Sequence, residues 1–125
     1  MDVLIVERDE LMGSTLLDTL DEAGISAAVA SDEKALSLLE DDAPQVVITS
    51  IHRGHNEDLT GLRLVSAMRR KWPEICAIYL AALWPARLRR EKLGARERFL
   101  TKPVRLAQII RSVQELLDSG LGRQQ

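Results

Sequence analysis

The chain has 125 residues, fewer than the roughly 150 that one domain commonly takes, so a single compact domain is expected. With 46% hydrophobic and 29% charged residues and only four aromatics (Trp72, Trp84, Tyr79, Phe99), it is neither a disordered tail nor a fibre, and its core must be built from Leu, Ile, Val and Ala. A single cysteine, Cys76, excludes an internal disulfide, and no Cys/His cluster has the spacing of zinc ligands. The net charge of −2 hides a split: residues 1–58 carry 14 acidic against 3 basic side chains, a net of −11, and residues 59–125 carry 5 against 14, a net of +9.

Val3-Leu4-Ile5-Val6 is an unalternated apolar run, the pattern of a strand buried on both faces. Asp9 stands as a helix cap, and Met12, Leu16, Leu20 and Ala23 follow on one helical face until Gly24. Ile25–Ala30 reads as a second strand. A second helix with Ala35, Leu38 and Leu39 inward runs up to the break at Asp41-Asp42-Ala43-Pro44. Val46-Val47-Ile48 is the third strand, and Leu62, Leu64, Val65 and Met68 mark a helix that ends in Arg69-Arg70-Lys71. Ile75–Leu80 is the fourth strand. Pro85 suits the first position of a fourth helix that stops before Gly94. Phe99-Leu100-Thr101 is the fifth strand, and Val104, Ile109, Ile110, Val113, Leu116 and Leu117 form the apolar face of a fifth helix. The domain is expected over 1–119, with 120–125 a flexible tail.

Five strands alternating with five helices predict an α/β fold: one doubly wound parallel sheet with helices on both faces. In such sheets the loops after the strand C-termini gather ligands and chemistry. Attention therefore falls on Glu7, Arg8 and Asp9 after the first strand, Ser50 after the third, Ala81 after the fourth and Lys102 after the fifth.

From Val3 to about Leu117 the chain resembles the receiver domain of bacterial two-component response regulators. The resemblance rests on four features: Val3-Leu4-Ile5-Val6-Glu7-Arg8-Asp9-Glu10, where receivers have a strand followed by acids; Val47-Ile48-Thr49-Ser50-Ile51, where their third strand reaches the phospho-accepting aspartate; the helix, Arg-rich end, Trp-Pro and strand of Leu62–Ala81; and Lys102-Pro103. It implies a flavodoxin-like sheet of order 2-1-3-4-5. Phe99 takes the place of the receivers' switching aromatic.

Several functional positions depart from the family. In a receiver an aspartate carboxylate attacks the phosphoryl group and Mg²⁺, held by acidic oxygens, neutralises the charge in transit. Here the acceptor position is Ser50, whose phosphate would be a stable ester, not an acyl phosphate. The second acid is Arg8, a permanent cation where the metal's charge would sit, and the Thr/Ser after the fourth strand is Ala81. The chain thus reads as a degenerate pseudo-receiver. Arg8 and Lys102 are expected to share Glu7 and the Ser50 hydroxyl; the alternative turns Arg8 to solvent. Asp9 is read as the helix cap.

Residues 87–102 hold Arg87, Arg89, Arg90, Lys92, Arg96, Arg98 and Lys102 against Glu91 and Glu97. With Trp84, Phe99 and Pro103 they make up the face, from fourth helix to fifth helix, with which receivers grip partners. The loop His52-Arg53-Gly54-His55-Asn56-Glu57-Asp58 suggests a Ser50–His52 or Ser50–His55 pair, or the His-Gly loop of cobalamin-binding domains. Neither pattern is complete: no oxyanion hole or orienting group is evident, and the cobalamin loop follows a first strand.

The expectation is a cytoplasmic, non-enzymatic signalling module of a bacterial phosphorelay, with no cofactor and no metal. Its expected partner is a histidine kinase, a phosphotransferase, another regulator or a second copy, with no role for a membrane. The competing readings are phosphorylation on another acid such as Asp58 or Glu7, and nucleic-acid binding through the basic face, for which no helix-turn-helix or aromatic platform is evident.

Overall fold

A computed structural model describes residues 1–30, 37, 42–51, 60–82 and 94–123. In chain order the elements are β1 (Val3–Val6), α1 (Glu10–Glu22), β2 (Ala27–Ala30), β3 (Val46–Ser50), α2 (Thr60–Lys71), β4 (Cys76–Ala81), β5 (Glu97–Thr101) and α3 (Leu106–Ser119). All strand pairs are parallel and the sheet order is β2-β1-β3-β4-β5. The expected strand order is therefore observed. Of the five expected helices the described residues contain three, because the segments read as the second and fourth helices fall almost wholly outside them.

The central strands β1, β3 and β4 are buried along their whole length, which is why they carry no polar alternation. Successive side chains of β1 leave on opposite faces. Leu4 and Val6 join Val47, Ala77 and Tyr79 beneath Leu64, Val65 and Met68 of α2. Val3 and Ile5 join Val46, Ile48, Cys76 and Ile78 beneath Leu16 and Leu20 of α1 and Ile109, Val113 and Leu116 of α3. The helix α2 thus covers one face of the sheet, and α1 and α3 cover the other.

Helix ends follow local chemistry. Asp9 Oδ1 accepts from the backbone N–H groups of Leu11 and Met12 at 3.0 and 3.2 Å, which caps α1 as expected. At the other end Gly24 adopts φ 77°, a conformation costly for residues with a Cβ. Gly120 does the same after α3 at φ 71°. Within the stretch read as a flexible tail, Leu121 packs on the core beneath α1 and α3, and Arg96 Nε donates to its carbonyl at 3.3 Å. Gly122 is buried so closely on Gln45 that an added Cβ would lie 2.2 Å from the Gln45 oxygen.

Candidate functional site

Parallel pairing brings the C-terminal ends of the strands to one edge, where Val6 registers with Thr49, Ser50 with Leu80, and Ala81 with Thr101. Glu7 leaves β1 there and Ser50 closes β3. Although 43 positions apart in sequence, they meet: Ser50 Oγ donates a short hydrogen bond to Glu7 Oε2. Ser50 is buried, at 5% exposure, and Glu7 is half-buried. The other carboxylate oxygen, Oε1, accepts from the Asp9 backbone N–H at 3.2 Å. Both oxygens of Glu7 are therefore held by donors of the protein itself. The buried hydroxyl in turn has the acceptor it needs, since an unpaired polar group in this position would cost about 1–3 kcal/mol.

The remaining candidates lie beside this pair. Arg8 and Asp9 are exposed, and Asp9 is committed to capping α1. Lys102 is half-buried, and its backbone N–H donates to the Ala81 carbonyl at 2.8 Å; the Lys102–Pro103 peptide bond is cis. Ion pairs among the described residues include Met1–Asp42, Arg69–Glu97 and Arg96–Glu74. Ala81 is fully buried and offers no hydroxyl. Backbone geometry braces the site from behind: a Cβ on Gly61, in the first turn of α2, would lie 2.9 Å from the Ser50 carbonyl oxygen and 3.2 Å from Thr49 Oγ1.

This donor set does not fit Mg²⁺. The ion seeks several oxygens in octahedral array, typically from one or two carboxylates plus water. Glu7 accepts one hydrogen bond on each oxygen, Asp9 holds a helix end, and β3 ends in a neutral hydroxyl in place of a charged ligand. Among the described residues no group of three or more His, Cys, Asp or Glu side chains is arranged to hold a metal.

Along the β5 edge, Phe99 is half-buried and stacks on Tyr79 with ring centroids 5.0 Å apart and planes 20° apart. This contact ties it to the core beneath α2. Two cations of the basic run have internal partners that the sequence did not reveal. Arg96 pairs with Glu74 as well as with the Leu121 carbonyl, and Arg98 donates to the carbonyls of Ala95 at 3.1 Å and Glu97 at 2.9 Å. Pro103 is exposed. Trp84, Arg87, Arg89, Arg90 and Lys92, like His52, His55 and Asp58, lie outside the described residues. A cleft of about 450 Å³, lined by Asp2, Asp42, Gln45, Trp72 and Arg123 among others, opens at the opposite end of the strands from Glu7 and Ser50. Among the described residues no helix is long and apolar enough to cross a membrane.

No protein-family model matches the chain, nor does the sequence of any curated protein. Solved structures do. The chain is similar to the receiver domain of the Francisella response regulator 1452, at 24% identity and a TM-score of 0.77, over 94% of this chain and 96% of that one. It is similar to the non-phosphorylated HemR receiver domain from Leptospira biflexa at 27% identity and a TM-score of 0.75, over 92% of each chain. The receiver domain of NtrX from Brucella abortus matches at 22% identity and a TM-score of 0.75, over 94% of this chain and 99% of that one. The fold is that of response-regulator receiver domains.

Proposed function

We propose that this receiver fold serves bacterial phosphorelay signalling as a pseudo-receiver: a non-enzymatic module that works by binding a protein partner and not by taking a phosphoryl group at the end of β3. The observation that carries the reading is the hydrogen bond from Ser50 Oγ to Glu7 Oε2. A receiver needs at this point an ionised carboxylate that is free to attack and a second acid that is free to hold a metal. Here the attacking group is a hydroxyl with its proton directed at Glu7, and that contact together with the Asp9 N–H satisfies the Glu7 carboxylate. The pocket is chemically self-contained. Ala81 supplies no hydroxyl to draw towards a phosphoryl group, and Phe99, stacked on Tyr79, has no phenolic OH whose partners change.

The partner is a histidine kinase, a phosphotransferase, another regulator or a second copy, and the binding face runs from the basic segment 87–92 across β5 to α3. Pro103 is exposed on this side, and Arg96 and Arg98 are engaged by internal partners.

Amide NMR spectra recorded before and after adding Mg²⁺ with beryllofluoride, and phosphate labelling by a small phosphodonor, test the first half. The expected result is no widespread shift and no labile adduct. Shifts spreading from Ser50 to Phe99, or an acid- and base-labile phosphoryl group lost on changing Asp58 or Glu7, overturn it. For the second half, affinity capture with wild type and with an Arg87→Glu/Arg89→Glu/Arg90→Glu variant should lose one specific partner in the variant. Retention of every partner by the variant moves the binding face elsewhere.

A further inference from the structure

Helix α1 carries Glu10, Asp18, Asp21 and Glu22 and no basic residue. Helix α2 carries Arg63, Arg69, Arg70 and Lys71 and no acidic one. Sequence order alone puts these charges in different halves of the chain, and the fold does more: it sets the two helices on opposite faces of the sheet. On α1 the exposed stripe is Leu11, Ser14, Asp18, Asp21 and Glu22, with Leu11 77% exposed. On α2 it is Arg63, Ser66, Arg70 and Lys71, whereas Arg69 turns inward to Glu97 and the Ile75 carbonyl.

Internal stability accounts for the basic helix but not for the acidic one. Three of the four cations of α2, Arg69, Arg70 and Lys71, lie in its last turn, where they oppose the negative end of the helix dipole, and only Arg63 lies in the first turn. Asp21 and Glu22 also lie in a last turn, which contains no basic residue, and there they reinforce the negative end. Among the described residues neither forms an ion pair. A surface that keeps unpaired acids against the local electrostatic preference is suited to a cationic partner, and each copy of the chain offers one on its other side.

We propose that copies of this chain associate head to tail, the acidic outer stripe of α1 on one copy against the basic outer stripe of α2 on the next, with Leu11 as the apolar contact at the end of the α1 stripe. Because the two surfaces differ and face away from each other, the contact is heterologous: forming it leaves one acidic and one basic face free at the ends of the assembly, so growth continues until a ring closes or, where the rotation does not close, as an open chain. Attraction between exposed charges falls with ionic strength, since the screening length drops from about 20 Å near 20 mM salt to about 4 Å near 0.5 M. This proposal does not rest on the state of the Ser50 pocket.

Sedimentation velocity on the purified chain tests it. At about 20 mM salt the weight-average mass should rise with protein concentration, and at about 0.5 M salt it should fall to that of the monomer. An Asp18→Lys/Asp21→Lys variant and an Arg63→Glu/Arg70→Glu variant should each remain monomeric, their association weakened by about tenfold or more, because like charges then face each other. Mixing the two variants should restore association, since each then offers the sign that the other lacks; this mixture also separates loss of the contact from loss of the fold. A wild-type chain that stays monomeric at low salt overturns the proposal. So does association that survives either reversal, or a mixture that fails to assemble.

Discussion

At the scale of single residues, the site turns on one contact: the Ser50 hydroxyl at the end of β3 donates to the Glu7 carboxylate. Two carboxylates at that distance repel unless a cation lies between them, whereas a hydroxyl and a carboxylate form a hydrogen bond and need nothing further. Neighbouring residues respond to the same balance of burial and charge. The Tyr79 phenol is pushed up to about 12 from its ordinary 10.0, chiefly by burial, with Arg69 opposing the shift and Glu97 adding to it. The folded chain therefore keeps this proton up to about pH 12, whereas the unfolded chain releases it near pH 10. Stability from this group is complete below pH 10 and falls between pH 10 and 12, by an amount of order 2–3 kcal/mol. Denaturant midpoints measured across this interval should fall less steeply in Tyr79→Phe than in wild type. Equal slopes would show that the phenol titrates alike in both states.

At the scale of elements, α2 seats against the end of β3 only because residue 61 is a glycine. A methyl group there would press on the Ser50 carbonyl oxygen and on Thr49 Oγ1, both on a strand buried along its whole length and unable to retreat. Gly61→Ala should cost about 1–3 kcal/mol of stability, the range for overfilling a packed site, and should shift the amide resonances of Thr49 and Ser50. An unchanged melting midpoint would show that the first turn of α2 has room to move. The edges of the sheet differ in kind. Arg98 covers carbonyls beside β5, whereas β2 is a short run of small residues with Val29 39% exposed.

At the scale of the whole molecule, two aliphatic cores on either side of the sheet hold the domain together, and β4 belongs to both. Cys76, at the start of β4, is fully buried, and burial pushes its thiol upward against the lowering influence of Arg96, Arg69 and Arg98. Its reaction with a thiol reagent should follow global unfolding, slower than in the denatured chain by about 1,000-fold or more for a domain of ordinary stability. Rapid labelling in native buffer would show that β4 opens locally. The same scale gives the charge split its meaning: the acidic and basic helices are backed onto opposite sides of one sheet and act outward independently.

Local pattern was enough to read the five strands, their parallel pairing and the three described helices, because period, caps and breakers act within a few residues of one another; the strand order came with the resemblance to receivers. Asp9 capping α1, and Ile109, Val113 and Leu116 facing the core, follow from spacing alone. The identities of Ser50, Arg8 and Ala81 were equally legible as departures from a receiver. What a pattern of neighbours does not contain is which distant groups touch. Glu7 meets a hydroxyl 43 residues away, and Arg96 turned to Glu74 and the Leu121 carbonyl. Those choices depend on how far each side chain reaches once the strands are in register. The sequence by itself therefore determined the elements of the sheet and the serine that ends its third strand. Only the tertiary structure decided that Glu7 closes on Ser50, and that an almost neutral chain presents one acidic and one basic helix back to back.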